Sequence, residues 1–315
     1  MKRHRLKIEL KEKIKKVESL MWFHCNNNCI FCSWGHKRNP SGSENYAVAT
    51  TKEIMEDIDY AASIGAKLFS FSGGEPTIRR DLVELVKYAK KRNIKNIQIQ
   101  TNGRMLVYKD QVKKLMEAGV NDFAVTILSR RESVHDKLTA AKGSFKQVMQ
   151  GIKNINAARQ NIRLRLNIVI TKFNFKDLPE LTNLLLKLKP SEIGYNFVII
   201  DGYVLRNPGM IVPRYKDVKP YLLKALNISA AKVWTPVFNI PHCLMGRFAG
   251  KVVDFVQPGT LLIAKDFYFS IKENRRENKI KLANCKLCHY NKLCFGVWEK
   301  YINLYGDSEF KPVIK

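Results

Sequence analysis

The sequence predicts an α/β protein, a partial barrel of six βα units followed by a smaller α+β domain. Two observations predict the barrel: short β-like segments alternate with longer segments of helical periodicity, and this alternation continues to about residue 200. Right-handed crossovers between parallel strands would curl six such units into an incomplete version of the closed eight-unit TIM barrel. The predicted strands are residues 18–24, 67–72, 96–101, 122–128, 163–171 and 193–200.

Five predicted helices lie between these strands. Asp81 and Ser144 are candidate N-caps, because their side-chain oxygens can accept from the free backbone N–H groups of a first helical turn, and Gly119 is a candidate helix end. The predicted helices are residues 51–63, 81–92, 109–118, 144–158 and 177–188. In barrels of this type the loops after the strands share one face, so functional residues are expected at the strand ends.

The pattern changes after Gly202. Prolines recur between residues 208 and 241, and they interrupt the regular alternation of strands and helices. The chain is therefore predicted to divide into a basic N-terminal arm at residues 1–17, a barrel at residues 18–205 and a smaller domain at residues 206–315.

Composition limits the class of protein. The chain has 315 residues, of which 45% are hydrophobic, enough to bury a core. It carries 55 Lys and Arg against 28 Asp and Glu, a formal charge of +27, which attracts anionic substrates or nucleic acid. The lysines are spread along the whole chain, as a general compositional bias would also place them. The charged N-terminus lacks the apolar core of a signal peptide, and no apolar run approaches the ~18 residues that span a bilayer, so a cytoplasmic protein with no membrane span is expected.

Seven cysteines form two groups, three near residue 30 and four beyond residue 240. An odd number of cysteines in a chain expected to be cytoplasmic favours metal chemistry over disulfides. Cys25, Cys29 and Cys32 directly follow the first predicted strand, and three thiolates at this spacing can hold a small metal cluster with one position left open. The alternative is a structural zinc ion, for which His24 or His36 would be the fourth ligand.

The second group combines Cys243 with Cys285, Cys288 and Cys294. Four thiolates can ligate either a complete [4Fe–4S] cluster or a zinc ion, and spacing alone does not distinguish the two. This group lies in the predicted C-terminal domain, far along the chain from the first group.

The first group resembles the signature of the radical S-adenosylmethionine (SAM) enzymes, Cys-x3-Cys-x-aromatic-Cys after the first strand, with Phe31 at the aromatic position. In that family the three thiolates hold a [4Fe–4S] cluster whose fourth iron binds the amino and carboxylate groups of SAM. Reductive cleavage of SAM yields a 5′-deoxyadenosyl radical that abstracts a hydrogen atom from the substrate. The resemblance implies a radical SAM enzyme with Cys25, Cys29 and Cys32 as cluster ligands and Phe31 near the adenine of SAM.

A second family motif, Gly-Gly-Glu-Pro, is matched after the second predicted strand by Gly73, Gly74 and Glu75. The resemblance implies that these residues hold the SAM amino group, since glycine permits close backbone approach and a carboxylate attracts an ammonium group. Taken alone, the motif could equally be a turn that leads into the second helix.

Weaker matches follow the later strands. Residues 101–103, Thr-Asn-Gly, resemble a family turn, and Thr126 occupies the position that usually offers a hydroxyl group to the SAM ribose. On the fifth strand, Arg165 is a candidate partner for the SAM carboxylate and Asn167 for its ribose; the alternative is that either is a solvated strand residue. On the sixth strand, Asn196 and Tyr195 are expected near the barrel mouth, where contacts with substrate or adenine would lie.

The C-terminal cysteines resemble the SPASM or twitch extensions of radical SAM enzymes, which share the Cys-x2-Cys-x5-Cys element. A full SPASM pattern has seven cysteines and two auxiliary clusters, whereas this chain has four such cysteines. The resemblance implies one auxiliary [4Fe–4S] cluster, fully ligated by Cys243, Cys285, Cys288 and Cys294, in an electron-transfer or structural role.

The resemblance implies an enzyme that modifies a peptide, a protein or a small metabolite, with flavodoxin or ferredoxin as electron donor. About twenty residues precede the first strand, too few for a leader-peptide recognition domain. If all seven cysteines are ligands, a hydrogen donor must be another residue, such as Tyr195 or Tyr203. Two alternatives stay open: RNA modification, which the positive charge favours, and a non-catalytic zinc or iron–sulfur protein that binds nucleic acid.

Overall fold

The computed structural model describes residues 13–37, 48–158, 161–254 and 259–314. The strands are β1 (Ile14–Leu20), β2 (Leu68–Ser72), β3 (Asn96–Thr101), β4 (Asp122–Thr126), β5 (Arg163–Ile170), β6 (Glu192–Phe197), β7 (Val237–Phe238), β8 (Gly259–Ala264), β9 (Tyr268–Ser270), β10 (Lys279–Ile280) and β11 (Val297–Trp298). The helices are α1 (Thr51–Ser63), α2 (Leu82–Lys91), α3 (Lys109–Ala118), α4 (Glu132–Thr139), α5 (Ser144–Ala157), α6 (Leu178–Lys187), α7 (Pro208–Ile211), α8 (Tyr215–Ser229), α9 (Ile271–Glu277) and α10 (Glu299–Tyr305). Within these ranges no helix is long and apolar enough to cross a membrane.

Nine of the described strands form one sheet in the order β7-β6-β5-β4-β3-β2-β1-β8-β9. β1 to β6 are parallel and pair in chain order, which confirms the predicted partial barrel of six βα units. Two strands from the C-terminal part of the chain, β7 and β8, add parallel pairs at the two edges of this set, and β9 pairs antiparallel with β8. The C-terminal part therefore extends the barrel sheet, and it also forms the separate pair of β10 and β11.

The predicted boundaries agree best at β3, α1 and α3, whose ends match residue for residue. β1 differs, because it begins at Ile14 and ends at Leu20, whereas the prediction was residues 18–24. Residues 21–24 leave the strand and run beside the turn that follows β2. The end of the predicted basic arm is thus part of β1, where Ile14 and Val17 are buried, and residues 1–12 lie outside the described part of the chain.

Helix α4 was not predicted. Its residue Asp136 caps the N-terminus of α5, a role that had been expected of Ser144. Gly143 is the N-cap of α5, and Ser144 is the first helical residue. The Asp136 carboxylate on α4 accepts from the backbone N–H groups of Gly143 (2.6 Å) and Phe145 (2.9 Å) and from the Ser144 hydroxyl (2.8 Å). The expectation for Ser144 was wrong because the capping oxygens come from the preceding helix, outside the local window that cap patterns use.

The two faces of the barrel strands differ in polarity. Alternate residues are apolar and fully buried in the main core with the helices, as at Phe71, Ile99 and Val125. Residues between them are polar and are joined across strands; for example, the Gln98 amide donates to Asp122 at 3.0 Å. The barrel therefore has an apolar outer face and a polar inner face.

An aromatic cluster attaches the C-terminal helix α10 to the barrel. Tyr215 on α8 stacks on Phe197 of β6 with ring centroids 4.1 Å apart, and its ring lies 4.4 Å from that of Tyr301 on α10. The Tyr215 backbone N–H donates to the Tyr301 hydroxyl at 2.8 Å, and Phe310 packs edge-on against both tyrosines. Each such ring pair adds about 0.5–1.5 kcal/mol to the burial of its area, so the cluster is a firm attachment.

His135 on α4 gives the fold a dependence on pH. Its ring is 1% exposed, and its Nδ1 accepts from the Leu128 backbone N–H at 3.3 Å. Burial lowers the pKa of His135 to about 4. In the unfolded chain a histidine titrates near pH 6.5, so the contribution to stability is fully present above about pH 6.5 and is lost as the pH falls towards 4.

We expect His135→Gln, whose neutral amide can still accept a hydrogen bond, to flatten this dependence. Between pH 7.5 and pH 5, the wild-type chain should lose on the order of 2 kcal/mol more of its free energy of unfolding than the variant. Urea denaturation under anaerobic conditions at the two pH values measures the difference. An equal loss in the two proteins would contradict the assignment of a neutral, buried His135.

Candidate functional site

The loop from Cys25 to Cys32 lies across the ends of several barrel strands. Its backbone N–H groups at Asn28 and Ile30 donate to carbonyls at the end of α4, at 2.9 and 3.0 Å. On its other side, the Cys32 carbonyl accepts from the backbone N–H of Tyr203, in the segment after β6, at 3.0 Å. The loop is thus fixed at the face where the sequence predicted the functional residues.

The turn after β2 contacts the segment that leads into the cysteine loop. The backbone N–H of Gly74 donates to the Trp22 carbonyl at 2.7 Å, and that of Glu75 donates to the His24 carbonyl at 2.8 Å. A Cβ atom at Gly73 would collide with the Trp22 carbonyl, and one at Gly74 would collide with the His24 carbonyl. Glycine is required here because the chain approaches its own backbone, and this approach brings the first two motifs together.

Glu75 ties the turns after β2 and β3 together. Its carboxylate is 1% exposed and accepts from the backbone N–H groups of Thr77 (3.1 Å) and Asn102 (2.8 Å) and from the Thr101 hydroxyl (2.6 Å). Burial raises the pKa of Glu75, and these hydrogen bonds oppose that rise by favouring the charged form. The carboxylate is therefore held firmly beside the cysteine loop.

Two side chains after β3 also contact the cysteine loop: Asn102, which the sequence analysis noted only as part of a family-like turn, and Arg104, which it did not note. The Asn102 amide nitrogen lies 2.7 Å from the Asn26 side-chain oxygen and 3.6 Å from the Cys25 sulfur. The Arg104 guanidinium donates to the Asn26 carbonyl and, at 3.1 Å, to the Asn27 side-chain oxygen. The Thr-Asn-Gly-Arg sequence at the end of β3 was the available signal, but it does not say which loop the side chains reach.

Thr126 and Asn167 are neighbours on the paired strands β4 and β5. Both are partly buried on the polar face of the sheet, and a Cβ atom at Gly194 on β6 would lie 2.7 Å from the Asn167 side-chain oxygen. Phe31 is partly buried against the main hydrophobic core. Their contacts with SAM stay predictions.

The structure contradicts the expectation that Arg165 contacts the SAM carboxylate. Asp122 and Glu192, the first residues of β4 and β6, bind its guanidinium at 2.7 and 3.3 Å. Strand starts lie at the opposite end of a parallel barrel from strand ends, so Arg165 is held away from the cysteine loop. Period-two alternation assigned the correct face but could not show which carboxylates would meet the guanidinium.

Tyr195 is on the outer face and not at the barrel mouth, which corrects a second expectation. It is fully buried, with its hydroxyl 2.8 Å from that of Thr182 on α6 and 3.3 Å from that of Ser229 on α8. Tyr203 lies beside the cysteine loop, where a Cβ atom at Gly35 would collide with its ring. Of the two tyrosines considered as hydrogen donors, only Tyr203 is near this site.

All four C-terminal cysteines line one cavity, which is partly open to solvent. Cys243, Cys285, Cys288 and Cys294 are half-exposed and form no disulfide. Residues separated by up to 51 positions in the sequence, from 243 to 294, are thus gathered around one space. In the described part of the chain, no three Cys, His, Asp or Glu side chains converge closely enough to hold a single metal ion.

The surroundings of these thiols fit ligands of a positively charged iron–sulfur centre. Burial and the neighbouring thiols raise the pKa of Cys243 to about 12, so an iron centre would offset the cost of the thiolate form. The backbone N–H groups of Gly296 and Val313 donate to the sulfurs of Cys294 and Cys288, each at 3.4 Å. Such hydrogen bonds favour the thiolate and tune the potential of a bound cluster.

A partial barrel with three cysteines in the loop after its first strand fits an enzyme that works through an iron–sulfur cluster. The family model of the Radical SAM superfamily matches residues 20–185, just over half of the chain. The chain belongs to the radical SAM superfamily. It is a radical SAM enzyme, a class that uses a [4Fe–4S] cluster and SAM, and its C-terminal cysteines fit an auxiliary cluster.

Relatives in this superfamily differ in activity. The Fe-coproporphyrin III synthase of Methanosarcina barkeri is 31% identical over 192 residues, which cover 61% of this chain and 46% of that protein. The chain thus spans less than half the length of this relative. A probable GTP 3′,8-cyclase of Methanocaldococcus jannaschii is 26% identical over 236 residues, 70% of this chain and 76% of that protein.

Solved structures share the fold. SuiB of Streptococcus suis, solved bound to the precursor peptide SuiA, superposes with a TM-score of 0.65 over 95% of this chain and 75% of SuiB. The sequences are 15% identical in this comparison, so the likeness concerns the fold.

We expect Gly74→Ala to prevent assembly of the first cluster, because the added Cβ collides with the His24 carbonyl and displaces the cysteine loop. After anaerobic reconstitution, the wild-type chain should hold about eight irons and eight sulfides, and the variant about four of each. Gly209→Ala is the matched control, since no atom lies within 4 Å of the added Cβ.

Full iron in Gly74→Ala would contradict the role assigned to this backbone contact. About four irons with one zinc in the wild-type chain would instead show that the C-terminal cysteines bind zinc.

Proposed function

We propose that the enzyme cleaves SAM reductively to a 5′-deoxyadenosyl radical, which abstracts a hydrogen atom from a neutral segment of a peptide or protein. One observation supports the site: hydrogen bonds gather the cysteine loop, the turn after β2 and the turn after β3 at one face. A [4Fe–4S] cluster with one iron open to SAM, when bound, supplies the electron for this cleavage.

Every predicted site residue except Arg165 has a role in this proposal. The proposed ligands of the SAM-binding cluster are Cys25, Cys29 and Cys32. The proposed SAM-binding residues are Phe31, Gly73, Gly74, Glu75, Thr126 and Asn167. The proposed ligands of the auxiliary cluster are Cys243, Cys285, Cys288 and Cys294. Arg165 is omitted because two carboxylates already bind its guanidinium.

Glu75 can hold the SAM ammonium group without giving up its present contacts. Its Oε1 accepts from Thr77 and Thr101, whereas Oε2 accepts from the backbone N–H of Asn102. A carboxylate oxygen has about two lone-pair directions, so Oε2 can accept one further hydrogen bond. An ammonium group there would also oppose the rise in the pKa of Glu75 that burial causes.

The charged side chains on the inner face of the barrel are paired with one another. Lys16 binds Glu18 at 3.1 Å, and Arg165 binds both Asp122 and Glu192. Although the chain has a formal charge of +27, the cations among these inner-face residues each have a carboxylate partner.

Neutral polar groups on the same face indicate the class of substrate. Gln100, Thr126, Asn167 and Asn196 are partly buried, and a Cβ atom at Gly194 would lie 2.7 Å from the Asn167 oxygen and 3.6 Å from the Asn196 nitrogen. Carboxamides pair with peptide groups, whereas a triphosphate or a polycarboxylate is bound by several unpaired cations. The SuiB complex is an example of this fold with a peptide bound. We therefore favour a peptide or protein substrate.

Transfer of deuterium into 5′-deoxyadenosine tests both parts of the proposal. Cells grown in deuterated medium provide three substrate pools: peptides and proteins, nucleic acids, and small metabolites. With dithionite and SAM, the enzyme should release 5′-deoxyadenosine, and mass spectrometry should find deuterium in it only with the peptide and protein pool. Cys29→Ser is the control and should release none.

Absence of 5′-deoxyadenosine from the wild-type enzyme would overturn the proposed reaction. Deuterium only from the nucleic acid pool or only from the metabolite pool would leave the reaction in place and overturn the proposed substrate class.

A further inference from the structure

The surface around the four C-terminal cysteines carries exposed leucines. Leu287, between Cys285 and Cys288, is 69% exposed, and Leu293, directly before Cys294, is 46% exposed. A single exposed leucine is ordinary on a protein surface, but these two belong to one loop that lines one cavity. Each leucine adjoins a cysteine that lines this cavity, so together they form an apolar centre beside the four cysteines.

The same segment of the chain is rich in lysine. From Lys279 to Trp298 the sequence contains four lysines and no aspartate or glutamate. Lys281, Lys286 and Lys292 are exposed. An apolar centre with a basic rim complements a protein that has an acidic rim around its own contact area. We call this patch, defined by Leu287, Leu293 and the three exposed lysines, the leucine–lysine surface.

We propose that the leucine–lysine surface docks a small acidic one-electron carrier protein, an inference that rests on the proposed auxiliary cluster. The four cysteines are half-exposed and their cavity opens to solvent, so a docked carrier would come close to a cluster bound there. The carrier is oxidised by one electron and the auxiliary cluster is reduced by one; no bond forms or breaks and no proton moves. Small, charge-steered interfaces suit such brief encounters.

Charge reversal tests this surface in the holoenzyme. Lys286→Glu with Lys292→Glu is compared with Lys114→Glu and Lys153→Glu, two exposed lysines on α3 and α5 that give the same change in net charge. Stopped-flow spectroscopy follows the oxidation of a reduced plant-type [2Fe–2S] ferredoxin at low ionic strength. We expect the first double variant to react roughly tenfold more slowly than wild type, and the control within about twofold.

Three results would overturn the docking proposal. The first is an equal decrease in the rate for both double variants, and the second is no decrease for either. The third is a wild-type dimer that becomes monomeric in the first double variant, which would make the surface a contact between two copies. Iron contents near eight per chain verify that both variants are assembled. Failure of dithionite-driven SAM cleavage in wild type overturns the proposed function separately, because ferredoxin oxidation does not require SAM.

A second inference rests on the side chain of Asn102. Its Oδ1 accepts from the Arg104 backbone N–H at 3.0 Å, so its NH2 group faces the cysteine loop. That nitrogen lies 2.7 Å from the Asn26 oxygen and 3.6 Å from the Cys25 sulfur. The two hydrogens of a carboxamide diverge, so one serves each acceptor.

We infer that Asn102 is a positioning residue that raises the reduction potential of the proposed SAM-binding cluster through its N–H···S bond to Cys25. Glu75 fixes Asn102 by accepting its backbone N–H at 2.8 Å. A hydrogen bond to a ligand sulfur favours the more electron-rich reduced state of a cluster. The glutamate of the glycine turn thus acts on the first cysteine through Asn102.

Redox titration monitored by electron paramagnetic resonance, without SAM, tests this role. Asn102→Asp keeps the shape but replaces the donating NH2 group by oxygen, and Asn102→Ala removes the donor without adding charge. In each variant the equilibrium constant for reduction of the first cluster should fall roughly fivefold or more, where tenfold corresponds to 59 mV for one electron. The auxiliary cluster of the same chain is the internal control and should keep its potential.

An unchanged first potential, or equal shifts at both clusters, would overturn the inference. Loss of the first cluster in both variants would also overturn it, because Asn102 would then be needed for assembly. A chain that shows the expected shift but does not cleave SAM would overturn only the proposed function.

Discussion

The close backbone contact between the turn after β2 and the segment before Cys25 is the constraint on which the site depends. β1 and β2 pair as parallel strands, and hydrogen bonds from Gly74 and Glu75 to the carbonyls of residues 22 and 24 continue that pairing beyond the strand ends. The contact is possible only where no Cβ intervenes, which explains the two adjacent glycines. This contact fixes the position of the cysteine loop relative to the sheet.

The C-terminal part of the chain is joined to the barrel by two kinds of contact. β8 pairs with β1, the strand that leads into the cysteine loop, and α10 is held by the aromatic cluster around Tyr215 and Tyr301. The cavity lined by the four C-terminal cysteines therefore belongs to a part of the chain that is attached to the barrel. Electrons passed between two clusters would need such a fixed arrangement, because transfer depends steeply on distance.

Charge is organised differently on the surface and inside the barrel. The chain carries a formal charge of +27, yet on the inner face the cations Lys16 and Arg165 are paired with the carboxylates of Glu18, Asp122 and Glu192. Burial makes an unpaired charge costly in free energy. The polar groups in such an interior are therefore paired ions and neutral carboxamides. The positive net charge is therefore carried by residues outside this inner-face set.

The sequence by itself determined the fold class, the order of the six parallel strands and the loop that carries Cys25, Cys29 and Cys32, because periodicity and motif spacing are local properties. It misjudged Arg165, Tyr195 and Ser144, since their partners Asp122, Thr182 and Asp136 lie on other elements. It also could not show that Asn102 reaches Cys25, or that Cys243 shares one cavity with the three later cysteines. Only the tertiary structure decided these, because hydrogen bonds and cavities form between segments that the sheet brings together.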